Sequence, residues 1–576
     1  MNDIQDFQMV AEFHRCSVQE RNMADIKSNK KTLENLKNYF REYCDYTGIH
    51  GMKFIGERRS FCEKVIWILI FCLSLTTCIS VVYEVFKKWQ KSPIIVNFAS
   101  QEVNIFDITF PAVTICPETK VFSDHFNYSY TLRRSLNQTM PKEQLKKLQY
   151  MSILCNTNEY FDKIPKVSTI DQEFFNFLKE GSPSFLTKCS WMGQESPCNQ
   201  IFQPFYTDEG LCQTFNMLSK KELFTDAVEN IDPPPVTYKD RRVQHWSADH
   251  GYTDEAGIDT YPRRALLSGA TNSLMVNFAV NNTDLDYGCT HFQGYKVVLH
   301  SPHRFPTVHS HYFRIPLKKS VSAAITPSVL TTSQDVGEYN VKKRKCYFQT
   351  DMKLKFFANY SQINCKMECL INLTIDICGC VQYFMPREKN TPMCGTEKYK
   401  CLQIAEGKQA LIFMESNLDK PKLMNKHFPN HLKHLKNHTD NYLCNCPSMC
   451  NTIDYNVEIT ESDYDWPRKM AAIGIDVVSE DEEGMSTSQL QIYFKGNTFI
   501  PQQRNELYGT FDFLANVGGL LGLFIGFSIL SMIELIYFLS LRIICNINLY
   551  DTWYGKPSST TITVLSKKSL GEKTSA

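Results

Sequence analysis

Two long apolar runs constrain this chain more than any other feature. Val65 to Tyr83 passes 19 residues without a charge, and Phe513 to Leu541 is interrupted only by Glu534. As a helix the first run is roughly 28 Å long, close to the thickness of a bilayer's hydrocarbon core. Buried helices of soluble proteins can be as apolar, but runs of this length read as membrane spans. The first 60 residues carry no apolar leader core, so the first run lies too deep for a cleaved signal and is expected to remain as an anchor. Two spans put both termini on one side. The chain's 576 residues exceed one compact core, and an apolar content of 43% leaves the membrane part a minority. A formal charge of +1 gives no reason to expect nucleic acid as a partner.

Charge does not orient the first span. Four basic residues precede it closely (Lys53, Arg58, Arg59, Lys64) and three follow (Lys87, Lys88, Lys91). Cysteines and glycosylation sequons are more informative. Of 22 cysteines, 16 lie between the spans, an even number suited to an oxidising compartment. The six Asn-x-Ser/Thr sequons, at Asn127, Asn137, Asn281, Asn359, Asn372 and Asn437, lie there too. The middle region is therefore read as extracellular, and the chain as a multi-pass plasma-membrane protein with cytosolic termini.

The expected organisation is a cytosolic head (1–64), a first span (65–85), an extracellular cysteine-rich domain (86–510), a second span (511–541) and a cytosolic tail (542–576). The tail's Ser/Thr/Lys-rich end reads as disordered. "IIVNFASQEVNIFDITFPAVTIC" after the first span reads as extended chain. Further strands are expected at 273–280, 294–300 and 489–496, with cysteine-dense, helix-prone segments from 346 to 450 beside them. The fold class is α+β. Paired cysteines at short spacing are zinc ligands in cytosolic proteins; outside the cell the same spacing favours disulfides, and no metal site is expected from them.

Several motifs keep one order: "FPAVTIC" (110–116), "GLCQTFN" (210–216), the cysteine ladder with "FMP" (384–386), and "GGLLGLFIGFSILSMIE" (518–534). Together they resemble the degenerin and epithelial sodium channel family, most nearly its insect pickpocket subunits, from His50-Gly51 to about Glu534. The resemblance implies a homo- or heterotrimer, with palm, finger, thumb and knuckle regions over a pore for sodium ions. It also implies a non-voltage-gated channel blocked by amiloride, opened by an extracellular stimulus and needing no cofactor. The family's pairing, carried onto matching positions, gives Cys116–Cys212, Cys189–Cys198, Cys346–Cys450, Cys365–Cys446, Cys369–Cys444, Cys378–Cys401 and Cys380–Cys394. Cys155 and Cys289 remain, and because free extracellular thiols are unusual they are expected to bond each other. An insertion between Cys401 and Cys444 sets this chain apart from acid-sensing relatives. Within it His427, His431, His434 and His438 recur at helical spacing. They fit either a proton or zinc sensor or a solvated helix face beside a glycan on Asn437.

In the second span, Ala515, Gly519, Gly522 and Gly526 fall within about 60° of each other on a helix. Such a stripe suits close helix packing in lipid, and equally a close crossing of symmetry-related helices. Gly526 and Ser528 cannot both face one axis in a regular helix, being about 160° apart. Phe527 between them is too bulky for a narrow aqueous path. An extended Gly526-Phe527-Ser528 would instead line a pore with backbone carbonyls, and the family's selectivity tripeptide aligns here. A carboxylate in lipid is costly and usually faces a cavity, so Glu534 is expected to attract cations, the alternative being to snorkel to the inner interface. Asn516 near the outer mouth is neutral where some relatives carry Asp. By resemblance Ala515 is the family's degeneration position and His50-Gly51 its cytosolic gating motif. The competing reading is a non-conducting, disulfide-rich surface receptor or an accessory subunit; a plain anchor has no use for Gly526-Phe527-Ser528 or Glu534. Purinergic-type channels share two spans and a cysteine-rich ectodomain but not this ladder. Nothing resembles a catalytic constellation, so the chain is not read as an enzyme.

Overall fold

The computed structural model describes residues 32–91, 94–155, 164, 166–229, 245–417, 444–475 and 484–555. It divides into two units, one made of Met1–Ile94 with Glu506–Ala576 and the other of Ile95–Asn505. The first unit starts with helix α1 (32–46), a short α2 (Met52–Gly56) and a 31-residue α3 (Phe61–Lys91). At roughly 46 Å, α3 outruns the expected 65–85 span at both ends. The flanking Glu63, Lys64, Glu84 and Lys87 are good helix formers, so the helix has no cause to stop at the edge of its apolar core. Most of its large apolar side chains are exposed, from Ile66 at 56% to Tyr83 at 61%, as lipid-facing residues should be.

The second unit carries strands β1 (Ile94–Phe98), β2 (Ala112–Pro117), β3 (Leu186–Trp191), β4 (Gln194–Ser196), β5 (Phe202–Thr207), β6 (Gly210–Phe215), β7 (Leu274–Asn281), β8 (Tyr295–His300), β9 (Phe313–Ile315), β10 (Lys319–Thr332), β11 (Thr452–Asp463), β12 (Met485–Phe494) and β13 (Gln502–Glu506). They form an eight-stranded sheet in the order β1-β13-β10-β12-β7-β3-β4, with β11 also paired to β10, and a five-stranded sheet in the order β9-β8-β2-β6-β5. Every second residue of β7 is buried, from Leu274 to Val280, and β12 and the first half of β10 alternate likewise. That period of two gives each strand one apolar face. Val276, Phe278, Ile325, Ile492 and Phe494 from the larger sheet share one core with Val113, Ile115, Phe202, Phe215 and Val297 from the smaller. The expected strands at 273–280, 294–300 and 489–496 correspond to β7, β8 and β12. The extended stretch after the first span is broken by a 3-10 turn at Ile105–Asp107.

Three helices, α4 (Tyr128–Asn137), α5 (Lys142–Leu154) and α6 (Glu173–Gly181), build a second core with Tyr128, Leu148, Phe174 and Leu178. Two more, α7 (Gln362–Cys378) and α8 (Tyr399–Asn417), belong to the cysteine-dense region. Cys365 and Cys369 of α7 bond Cys446 and Cys444. The spacing makes geometric sense. Four residues of helix rise about 6 Å, and two residues of extended chain can advance about 6.6 Å, so cysteines one helical turn apart match partners two residues apart. Cys346–Cys450, Cys378–Cys401 and Cys380–Cys394 complete the ladder. Cys116–Cys212 and Cys189–Cys198 are also bonded. Cys155, at the end of α5, bonds Cys289 in the loop between β7 and β8.

A buried ion cluster ties the β5–β6 turn to β2 and β8. Glu209 lies 2.8 Å from Lys120 and also pairs with Lys296, and Arg314 pairs with Glu118 at 2.8 Å. Burial alone would raise the Glu209 pKa, but Lys120 and Lys296 outweigh it and hold it at about 2.

The first unit resumes as α9 (Thr510–Ile525), α10 (Ile529–Leu539) and α11 (Leu541–Tyr550). The second apolar run is therefore two helices, α9 and α10, separated at 526–528, and α11 continues past the expected 511–541 boundary. α9 packs along α3, where Trp89 stacks on Phe513 with ring centroids 4.9 Å apart.

Candidate ion pathway

Glycine governs where the second span breaks. α9 ends at Gly526, whose φ of 68° is left-handed and closes the helix with a bond from its N–H to the Gly522 carbonyl at 2.9 Å. Ser528 is extended and starts α10: its Oγ accepts from the Ser531 N–H at 3.2 Å, and its own N–H donates to Ser531 Oγ at 3.3 Å. Residues 526–528 are thus non-helical between two apolar helices. The expectation of a wholly extended tripeptide needs one correction. Gly526 is left-handed, because a helix must be terminated before an extended residue can follow, and glycine does this without a Cβ penalty.

The His50-Gly51 motif lies against this break. Gly51 is also left-handed, at φ 86°, and opens α2. The His50 N–H donates to the Ile525 carbonyl at 2.9 Å, one of the carbonyls a helix end leaves without an intrahelical partner. A Cβ on Gly526 would stand 2.9 Å from the His50 ring, so position 526 requires glycine for both conformation and space. Two residues before His50, the Gly48 N–H points to Glu534 Oε2 at 3.4 Å. One loop therefore touches both the break and the intramembrane carboxylate.

Ala515 and Asn516 are exposed on α9, with Asn516 Nδ2 bonded to the Asp512 carbonyl at 2.9 Å. Around Gly518, Gly519 and Gly522 a Cβ would meet nothing within 4 Å among the described residues beyond the local helix. Among the described residues Gly519 and Gly522 of the stripe are unpacked within their own chain, whereas Gly526 lies against His50. Asn127, Asn137, Asn281 and Asn372 are exposed, and Asn359 is half-buried with its amide directed at the Glu222 carbonyl. His427, His431, His434, His438 and Asn437 lie outside the described residues, as does the tail beyond residue 555.

Sequence reasoning missed the contacts made by α1. Tyr39, Tyr43 and Tyr46 recur at helical spacing in an otherwise polar head, a signal available in the sequence but not used. Tyr39 and Tyr43 pack edge-on against Phe538, at 6.1 and 5.3 Å.

The sequence pattern of the Amiloride-sensitive sodium channel family matches residues 43–538, and the chain belongs to that family. It is 26% identical to Pickpocket protein 28 of Drosophila melanogaster over 518 residues, covering 87% of this chain and 78% of that protein. Sodium channel protein Nach of the same fly is 22% identical, covering 88% and 87%. Acid-sensing ion channel 1 of Gallus gallus is 23% identical, covering 89% and 86%. The chain is a two-span channel protein of the plasma membrane, not an enzyme, in a family defined by sodium and amiloride.

Proposed function

We propose that three copies of this chain, or this chain with related subunits, surround a sodium pathway whose selective segment is Gly526-Phe527-Ser528. The observation that carries this reading is the three-residue break at 526–528 inside an apolar run. Backbone that departs from the helical conformation is tolerated at membrane depth where it lines protein or water, and carbonyls in such a segment can stand in for an ion's hydration shell. The unpacked face of Ala515, Gly519 and Gly522 supports close approach of further α9 copies. Glu534 supplies negative charge on the cytosolic side of the break, concentrating cations, while Asn516 leaves the outer mouth neutral. An extracellular stimulus opens the pore, and the disulfide-bonded region transmits it.

Reversal potentials test the filter. Ser528→Cys, which keeps size but weakens the Ser531 cap, is expected to lower the sodium/potassium permeability ratio of the amiloride-sensitive current. A conducting variant with an unchanged ratio refutes the assignment.

A further inference from the structure

The contacts between the cytosolic head and the end of the second span form a latch, and its members have no role in the pathway described above. Tyr39, Glu42, Tyr43 and Tyr46 share one face of α1, being three, four and seven residues apart. Tyr39 Oη donates to the Phe538 carbonyl at 2.5 Å. That carbonyl lies in the last turn of α10, where the intrahelical ladder runs out. Arg542, just past the joint at Ser540, forms an ion pair with Glu42. Tyr43 and Phe538 are 8% and 6% exposed and pack together. From the tail, Trp553 meets Tyr39 edge-on at 5.9 Å, and its carbonyl accepts from Asn546 Nδ2 at 3.3 Å.

The chain leaves this anchored helix at Tyr46 and reaches His50 in four residues. Within that short loop the described polar ties to the second span are the Gly48–Glu534 contact and the His50–Ile525 bond. Both are single backbone donors, and one hydrogen bond makes only a modest net contribution to holding a segment in place. A loop held so lightly takes its position from the rigid element it leaves. We infer that Glu42, Arg542 and Tyr39 are positioning residues for ion selectivity: by fixing α1 on α10 and α11 they hold His50 against the Ile525 carbonyl and Gly526. The inference rests on reading 526–528 as the filter.

The test is a charge swap in the full-length channel, read as the sodium/potassium permeability ratio. Glu42→Arg and Arg542→Glu are each expected to lower the ratio by roughly two- to thirty-fold, the range typical of coupling through packed networks. The combined variant, which restores an opposite pair, is expected to recover most of the loss. A general folding defect would lower current amplitude without changing the ratio. Single variants that conduct with an unchanged ratio overturn the inference, as does a double variant no better than either single. If the charge variants fail to reach the surface, Tyr39→Phe removes only the hydroxyl donor and is expected to shift the ratio in the same direction; an unchanged ratio there also overturns it. Ser528→Cys run in parallel separates the two failures. If Ser528→Cys shifts the ratio and the latch variants do not, the latch alone is wrong; if Ser528→Cys does not, the filter reading is wrong.

Discussion

The extracellular and membrane units are held together by opposite means. Ile95–Asn505 has two sheets over a shared apolar core, a buried ion cluster, and eight disulfides that include Cys116–Cys212 and Cys155–Cys289. In the membrane unit the five free cysteines of the described residues, Cys44, Cys62, Cys72, Cys78 and Cys545, form no covalent bridge. The described polar contacts between the His50 loop and the second apolar run are single hydrogen bonds, and α1 is held by one ion pair and a few aromatic contacts. The outer unit is cross-linked, and the described part of the membrane unit is held by noncovalent contacts alone. Covalent cross-links limit how far a unit can rearrange, whereas elements held by a few noncovalent contacts can shift between states that differ by a few kcal/mol.

The largest effect should come from cutting the covalent frame. Replacing Cys155 and Cys289 together by serine opens a loop with a sequence separation of 134, which the chain-entropy account values at about 5 kcal/mol. Loss of Cys189–Cys198, with a separation of 9, should cost about 2.6 kcal/mol on the same account. Thermal unfolding of the solubilised channel should rank the two in that order, and the reverse ranking would show that the frame is not what stabilises the outer unit.

The buried ion cluster comes next. Glu209→Gln leaves Lys120 and Lys296 facing an uncharged partner in a buried site, for which a cost of roughly 3–5 kcal/mol is typical. The sign with pH follows from the lowered pKa. The stabilisation is complete above the unfolded carboxyl value of 4.5 and is lost as pH falls toward about 2. The wild-type channel should therefore lose stability between pH 4.5 and 2 more steeply than Glu209→Gln. Equal slopes would remove Glu209 from the account.

Ala515→Val should change stability least, within about 0.5 kcal/mol, and function most visibly. Closed α9 helices that approach through the small-residue face cannot take the larger group without overpacking, so the open state gains. A standing, amiloride-sensitive sodium current without stimulus is expected. A variant that reaches the surface, responds normally and is silent at rest would show that Ala515 is not at the closed constriction.

What the sequence revealed follows the same division. Period-two strands such as 273–280 were legible because one face is apolar and the other is not. β10 and β11 were missed for physical reasons. β10 carries Ser322, Ala323, Ala324 and Pro327, weak strand formers placed by their partners, and β11 is largely exposed with Glu458 and Glu461 along it. The Cys155–Cys289 bond came from counting what the family pairing left over. The break at Gly526 was legible from the angle between Gly526 and Ser528, but its left-handed form was not, because it depends on how the helix is capped. The His50–Ile525 and Glu42–Arg542 contacts join opposite ends of the chain, and no local pattern encodes such a pairing. Each partner alone looks like an ordinary loop residue or a solvated charge.

The most direct measurement is the sodium/potassium permeability ratio of Gly526→Ala, taken from reversal potentials of the amiloride-sensitive current. Alanine at φ 68° costs about 1–2 kcal/mol, and its Cβ would stand 2.9 Å from the His50 ring. One methyl group thus disturbs the break and the loop that supports it at once. A clear fall in the ratio, in channels present at normal levels on the cell surface, is the predicted result. Full selectivity with normal conduction would contradict the claim that Gly526-Phe527-Ser528, held by His50, is where this channel selects its ion.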